Sequence, residues 1–482
     1  MKRWLRLALL GVLLAALTSG TVGAQSGATG WSEPIDLTQP SRNQHGEFPK
    51  LLCDRYNNTH ALFGSLPTID SPSEIYYRTD AGGVWSAPID VLSVPERVAV
   101  RFDAVISPQT NVLHLIWVSA WIDGELRYSQ APLAQAADPR AWSPPTTLAS
   151  HISNANNTGN ATLAVDQNGV IHLVYGTYDE TGTQLAVQHM QTTDDGLTWS
   201  TPVTLYSTVA SQPSDIGARV AVDGQGRLHV AITIRTQEYG LASELGYVRS
   251  NDAGQTWGQY QLISNVPSSF QGLSTLAVYT FGDDEVHLTW HDPRRLHQWS
   301  YDGGQTWQGP VSMIDLGAAF GGPNALAKDS AGVLHMVAAT GDGVYTATFD
   351  GQQWGVPERI DNRPNDPHGQ DIVVCQGNRL HVAYYDRTGD GRVWYFTRSV
   401  NTPRVERQPI PVPTPLPTPS VNALGAPGST RETNITPVGE QVELSQRAPE
   451  REDPFTPFVI PIVAAVVLIA LVFVVQFRKS LR

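Results

Sequence analysis

The chain has 482 residues, 41% hydrophobic and 16% charged, and its 45 acidic against 32 basic residues give a formal charge of −13. That balance argues against a nucleic-acid partner, which would need a basic face. The basic charge is almost all Arg, and the only two cysteines, Cys53 and Cys375, show no metal-ligand spacing.

Residues 1–24 begin with Lys2, Arg3 and Arg6, continue in an apolar run over 7–17, and end Val22-Gly23-Ala24. This is the pattern of a cleaved signal peptide. No cysteine follows the cleavage region, which argues against a lipoprotein anchor.

From residue 31 the chain repeats itself. Trp31, Trp85, Trp142, Trp199, Trp307 and Trp354 each open a W-x-x-P tetrapeptide, and Trp257 keeps the phase without the proline. A second series holds one His per unit inside an alternating apolar run: His60, His114, His172, His229, His287, His335 and His381. Each unit reads as four short strands, A to D, bounded by Gly/Asn/Asp turns, and no useful helical period occurs over 31–399. Self-similarity at about fifty residues means a stack of like units. The first W-x-x-P lacks strands A to C before it, and the last unit lacks a W-x-x-P after it. The N-terminal strand is therefore expected to complete the last unit and close a ring.

Three octapeptides precede these Trp residues: T-T-D-D-G-L-T-W at 192–199, S-N-D-A-G-Q-T-W at 250–257 and S-Y-D-G-G-Q-T-W at 300–307. Looser copies occupy 78–85 and 350–354. The pattern S/T-x-D-x-G-x-T-W resembles the Asp-box, or bacterial neuraminidase repeat, of sialidase-like β-propellers. The resemblance spans 31–399. It implies an all-β propeller of four-stranded blades over 25–400. The repeat count predicts seven blades, with six as the alternative, as in the sialidases. Asp194, Gly196 and Trp199, Asp252, Gly254 and Trp257, and Asp302, Gly304 and Trp307 are read as turn-building residues: Asp accepts backbone N–H groups, Gly supplies a positive φ and Trp packs between sheets. The seven His residues are read as hydrogen-bonded core groups rather than a metal ring.

Cys53 and Cys375 fall at the A–B junctions of the first and last blades. They are expected to staple the ring as a disulfide or to remain two buried thiols. The sequons at Asn57, Asn156, Asn160 and Asn434 matter only in a host that glycosylates them. Residues 401–457, rich in Pro, Thr, Glu and Ser, read as a disordered spacer with a polyproline stretch at 409–419. Residues 458–477 are apolar, long enough to span a bilayer, and followed by Arg478, Lys479 and Arg482. That predicts a single transmembrane helix, a cytoplasmic tail at 478–482 and a propeller outside the cell.

In sialidase-like propellers the Asp-boxes lie away from the active site, so the B–C and D–A loops are the expected functional face. The resemblance implies an Arg cluster for a sugar carboxylate, a Tyr nucleophile with a Glu, and an Asp acid/base. The catalytic candidates are Arg219, Arg235, Tyr239, Glu238 and Asp103. Candidate ligand contacts are Arg101, Tyr178, His291, Arg294, Tyr385 and Arg387. The family motif F/Y-R-I-P is absent: aligned on Pro49, its Arg falls on Glu47, which would repel a substrate carboxylate. Three readings follow. The first is a membrane-anchored extracellular propeller that binds glycans or proteins without turnover. The second is a sialidase-type exo-glycosidase, and the third is a scaffold without a ligand. No cofactor or metal is expected, and calcium binding and oligomeric state are left open.

Overall fold

The computed structural model describes residues 30–39, 46–65, 73–80, 82–94, 101–119, 124–152, 161–209, 215–235, 244–265, 276–292, 294–314, 325–341, 343–363, 366–389 and 391–411. They form seven antiparallel four-stranded sheets, each in the order A-B-C-D. The seventh is completed by the N-terminal strand Ile35–Asp36, which pairs with Arg392–Ser399. The chain is a seven-bladed propeller closed as its repeat ends require. The expected signal peptide, most of the spacer and the expected transmembrane segment lie outside the described residues. Among the described residues no helix is long and apolar enough to cross a membrane.

The A strands run Gly46–Cys53, Phe102–Ile106, Ala161–Val165, Asp215–Val222, Ala277–Phe281, Ala325–Lys328 and Pro367–Cys375 in blades 1 to 7. They form the inner ring around the axis, with neighbours such as those of blades 3 and 4 lying against one another. Alternation of apolar residues gives each sheet two faces that both need cover. The core is accordingly divided into seven hydrophobic clusters, one between each pair of adjacent blades.

The three strong Asp-boxes share one geometry. Asp302 accepts from the backbone N–H of Thr306 at 2.8 Å and from its hydroxyl at 2.6 Å, while Ser300 donates to Asp302 and accepts from the Gly304 N–H. Gly196, Gly254 and Gly304 have φ of 81°, 86° and 77°. The turn is also a joint. Trp199, Trp257 and Trp307 each meet an aromatic on strand C of the preceding blade edge-on: Tyr128, His189 and Tyr247 at 5.4, 5.1 and 5.1 Å. Trp354 meets His297, and Trp85 meets Tyr395 across the ring closure, in the same way.

The strand B histidines anchor those strand C aromatics. His60, His229 and His381 bond through Nδ1 to the hydroxyls of Tyr77, Tyr247 and Tyr395 at 2.5–2.6 Å, and His287 bonds to His297 at 2.8 Å. On their far side His60, His229 and His335 meet Asp54, Asp223 and Asp329 of their own A–B turns. All seven are 0–4% exposed. An Asp–His–Tyr series repeated and sealed in this way is a core device, as the sequence reading held.

Ring closure carries extra ties. Cys53 and Cys375 form a disulfide between blades 1 and 7. Arg78 of blade 1 donates to the carbonyls of Leu37, Asp36 and Gln39 beside the N-terminal strand. The propeller's chain does not stop at the expected boundary of 400. Residues 400–411 continue over the A–B turns of blades 7 and 1, and Ile410 packs on the cluster between blades 1 and 2.

Candidate functional site

Pairing registers place one residue of each A strand at a common height, opposite the second residue after the strand B His. These are Lys50, Asp103, Thr162, Arg219, Ala277, Ala325 and Asp371. Four of the seven are charged, two of each sign. Tyr279, opposite His287, stands two residues closer to the Asp-box face on the same side of its strand. This band circles the inner ring of A strands. In blades 1 and 7 it is preceded by register shifts, between Glu47 and Lys50 and between His368 and Asp371. Bulges of this kind re-aim the residues that follow.

The charged groups interact across the channel. Lys50 Nζ lies 2.9 Å from the Asp103 carboxylate, with 34% and 11% of the two side chains exposed. Burial would lower the Lys50 pKa, but Asp103 and Asp371 outweigh it and hold the ammonium above its usual range. Burial raises the Asp371 carboxyl, with Lys50 opposing that shift. Burial lowers the Arg219 guanidinium against the attraction of Asp103 and Tyr279.

The carboxylates also tie the blades. An A strand exposes an unpaired edge to the channel, and its N–H groups need acceptors. Asp371 of blade 7 accepts from Leu51 of blade 1 at 2.8 Å, and Asp103 of blade 2 accepts from Leu163 of blade 3 at 2.9 Å. The Thr162 hydroxyl accepts from Val220 of blade 4 at 3.1 Å. Asp103 and Asp371 therefore serve the ring's integrity before any ligand. Arg219 differs: its hydrogen bond is to the carbonyl of Ala218 at 3.3 Å, and among the described residues no carboxylate lies within ion-pair distance. Its guanidinium carries further donors that suit a carboxylate or vicinal hydroxyls.

Of the sequence candidates, the structure brings Asp103 and Arg219 together. Both stand on A strands rather than in D–A loops, because those strands begin earlier than the turn residues suggested. Arg235 ends strand B of blade 4 opposite Asp215. Its side chain, with Glu238 and Tyr239, lies outside the described residues. Tyr178, His291 and Tyr385 are strand B residues only 3–6% exposed. The Tyr178 hydroxyl joins blade 3 to blade 4, accepting from Ile216 N–H and donating to Ile216 C=O, each at 3.1 Å. Such a residue faces the next blade, not the loop surface. Arg101 lies 3.9 Å over the Phe48 ring, Arg294 opens strand C of blade 5, and the Arg387 N–H donates to Asp366. Sequence reasoning missed Lys50, Thr162 and Tyr279 as site residues. The common height of Lys50 and Thr162, and the place of Tyr279 two residues along, follow from the His register, which was the available signal.

Residues 131–342 match the family model of the BNR repeat-like domain. Together with the Asp-box turns, the seven sheets make a seven-bladed β-propeller that carries BNR-like repeats over that segment. No curated protein matches the chain. Among solved structures it is similar to a protein of unknown function from Dyadobacter fermentans DSM 18053, at 13% identity over 76% of this chain and 98% of that one, TM-score 0.47. The polysaccharide lyase Uly1 is 11% identical over 73% and 89%, TM-score 0.48. The Hadza microbial sialidase Hz136 is 15% identical over 70% and 75%, TM-score 0.45. Such distant likenesses carry no information on chemistry.

Proposed function

We propose that the propeller is the extracellular head of a membrane-anchored protein and binds glycans or proteins through its B–C and D–A loop face without turning them over. The observation that carries this reading is the isolation of Arg219. It is the one Arg in the band of A-strand residues, coupled electrostatically to Asp103 and Tyr279, with no carboxylate within ion-pair distance among the described residues. One such donor set suits an anionic or hydroxyl-rich group of a ligand. A sialidase needs several converging Arg residues and a proton-donating Asp. Here Asp103 already accepts from Lys50, Leu163 N–H and Ala104 N–H.

The test uses the purified protein on a glycan array, in parallel with fluorophore release from an aryl sialoside. Binding without release is expected, and Arg219→Ala should weaken binding at least about tenfold, the scale of one charge-assisted contact, with the melting curve unchanged. Fluorophore release abolished by Tyr239→Phe would replace the binding reading with a glycosidase.

A further inference from the structure

The Asp-box of blade 1 is incomplete, and the shortfall falls beside the ring closure. In the strong boxes a hydroxyl two residues before the Asp and a Thr four residues after it complete the turn: Ser250 and Thr256 bond Asp252 at 2.8 and 2.5 Å. Around Asp80 those positions are Arg78 and Val84. Val84 is 73% exposed, and Arg78 points to the N-terminal strand. Asp80 nevertheless remains buried, accepting from Gly83 N–H at 2.6 Å.

The missing donors come from the far end of the domain. Arg407 approaches the Asp80 carboxylate at 3.3 and 3.4 Å, with only 17% and 4% of the two side chains exposed. Its neighbours are seated just as specifically. Ser330 of blade 6 donates to the Pro403 carbonyl, and Val405 N–H to Gln376 of blade 7. Asn57 Nδ2 donates to Glu406, Arg407 Nε to the Asn57 carbonyl, and Gln408 N–H to Tyr56 of blade 1. We infer that residues 400–411 form a clasp that holds the blade 7–blade 1 seam from outside, with Arg407 replacing the hydroxyls that the blade 1 Asp-box lacks. The clasp and the Cys53–Cys375 disulfide act on one seam, so each matters most when the other is absent.

The experiment is hydrogen exchange on the full chain, oxidised and after reduction. It compares Arg407→Ala with Arg404→Ala, a control in the same segment whose partner, Glu406, is 79% exposed. Arg407→Ala should speed exchange in Gly46–Cys53 and Pro367–Cys375 by about fivefold to tenfold once the disulfide is reduced, and less when it is intact. Arg404→Ala should leave both strands unchanged. Adding Val84→Thr to Arg407→Ala should restore protection by returning the local hydroxyl. The clasp is overturned if Arg407→Ala behaves as Arg404→Ala in both redox states, or if its effect spreads evenly over all seven blades. Failure of Val84→Thr to restore protection would overturn the replacement of the hydroxyl by Arg407.

Discussion

The Asp-box glycine answers two demands at once. A Cβ on Gly304 would stand 2.3 Å from the Tyr247 hydroxyl, and one on Gly254 would stand 2.6 Å from the His189 ring. The positive φ alone would already disfavour any other L-residue. The turn motif therefore records contact with another blade as well as its own bend. Gly304→Ala is expected to cost about 2–4 kcal/mol, the sum of left-handed strain and overpacking, as measured by urea unfolding. A loss under about 1 kcal/mol would mean that only the bend matters.

At the scale of the element, strand C of blades 2, 3, 4, 5 and 7 presents one aromatic to two partners: the His of its own strand B and the Trp of the next blade. His189 fills this position in blade 3, bonded to His172 at 3.2 Å and meeting Trp257. The equivalent residue in blades 2, 4 and 7 is Tyr128, Tyr247 or Tyr395. His189→Tyr is thus expected to change stability by less than about 1.5 kcal/mol, whereas His189→Ala should cost about 2–4 kcal/mol through the cavity and the orphaned His172 nitrogen. Paired thermal melts decide between them. These elements were readable because each unit carries its own Trp and His, and repetition separates a signal from chance. The channel band was not readable in that way. Its residues come one per blade from strands far apart in sequence, and Lys50, Asp103, Thr162, Arg219 and Asp371 each look like one polar residue in an apolar run. The bulges before Lys50 and Asp371 also break the count from the upstream loops, and no period in the sequence discloses a bulge. Tyr178 shows the converse: it looks like a loop aromatic, yet its hydroxyl belongs to the next blade.

Over the whole molecule, the buried histidines make stability depend on pH. Burial lowers His114, His189 and His381 to about 3 and His172 to about 4, with His172 adding to the shift of His189 and Arg379 and Arg407 to that of His381. The unfolded chain takes up protons below about pH 6.5 that the folded chain refuses. Stability is therefore complete above that value and is lost as pH falls toward the folded-state values, by at most about 1.4 kcal/mol per histidine per pH unit. The melting temperature is expected to drop clearly between pH 7.5 and pH 5.5. A flat or rising profile would mean that these rings are protonated in place. Among the described residues no central hydrophobic core offsets such losses, because apolar burial is shared among seven interfaces.

Because Trp85, Trp199, Trp257, Trp307 and Trp354 each meet the strand C aromatic of the blade before, the heritable module of this architecture is not the blade. It is the stretch from strand C of one sheet to strand D of the next, whose two halves must match. A duplication or exchange cut at blade boundaries would bring mismatched partners together at both ends. That stretch is longer than one repeat, so any cut made one repeat apart separates an aromatic such as Tyr128 from its own Trp199, and a gained or lost blade must find matching partners at its junctions.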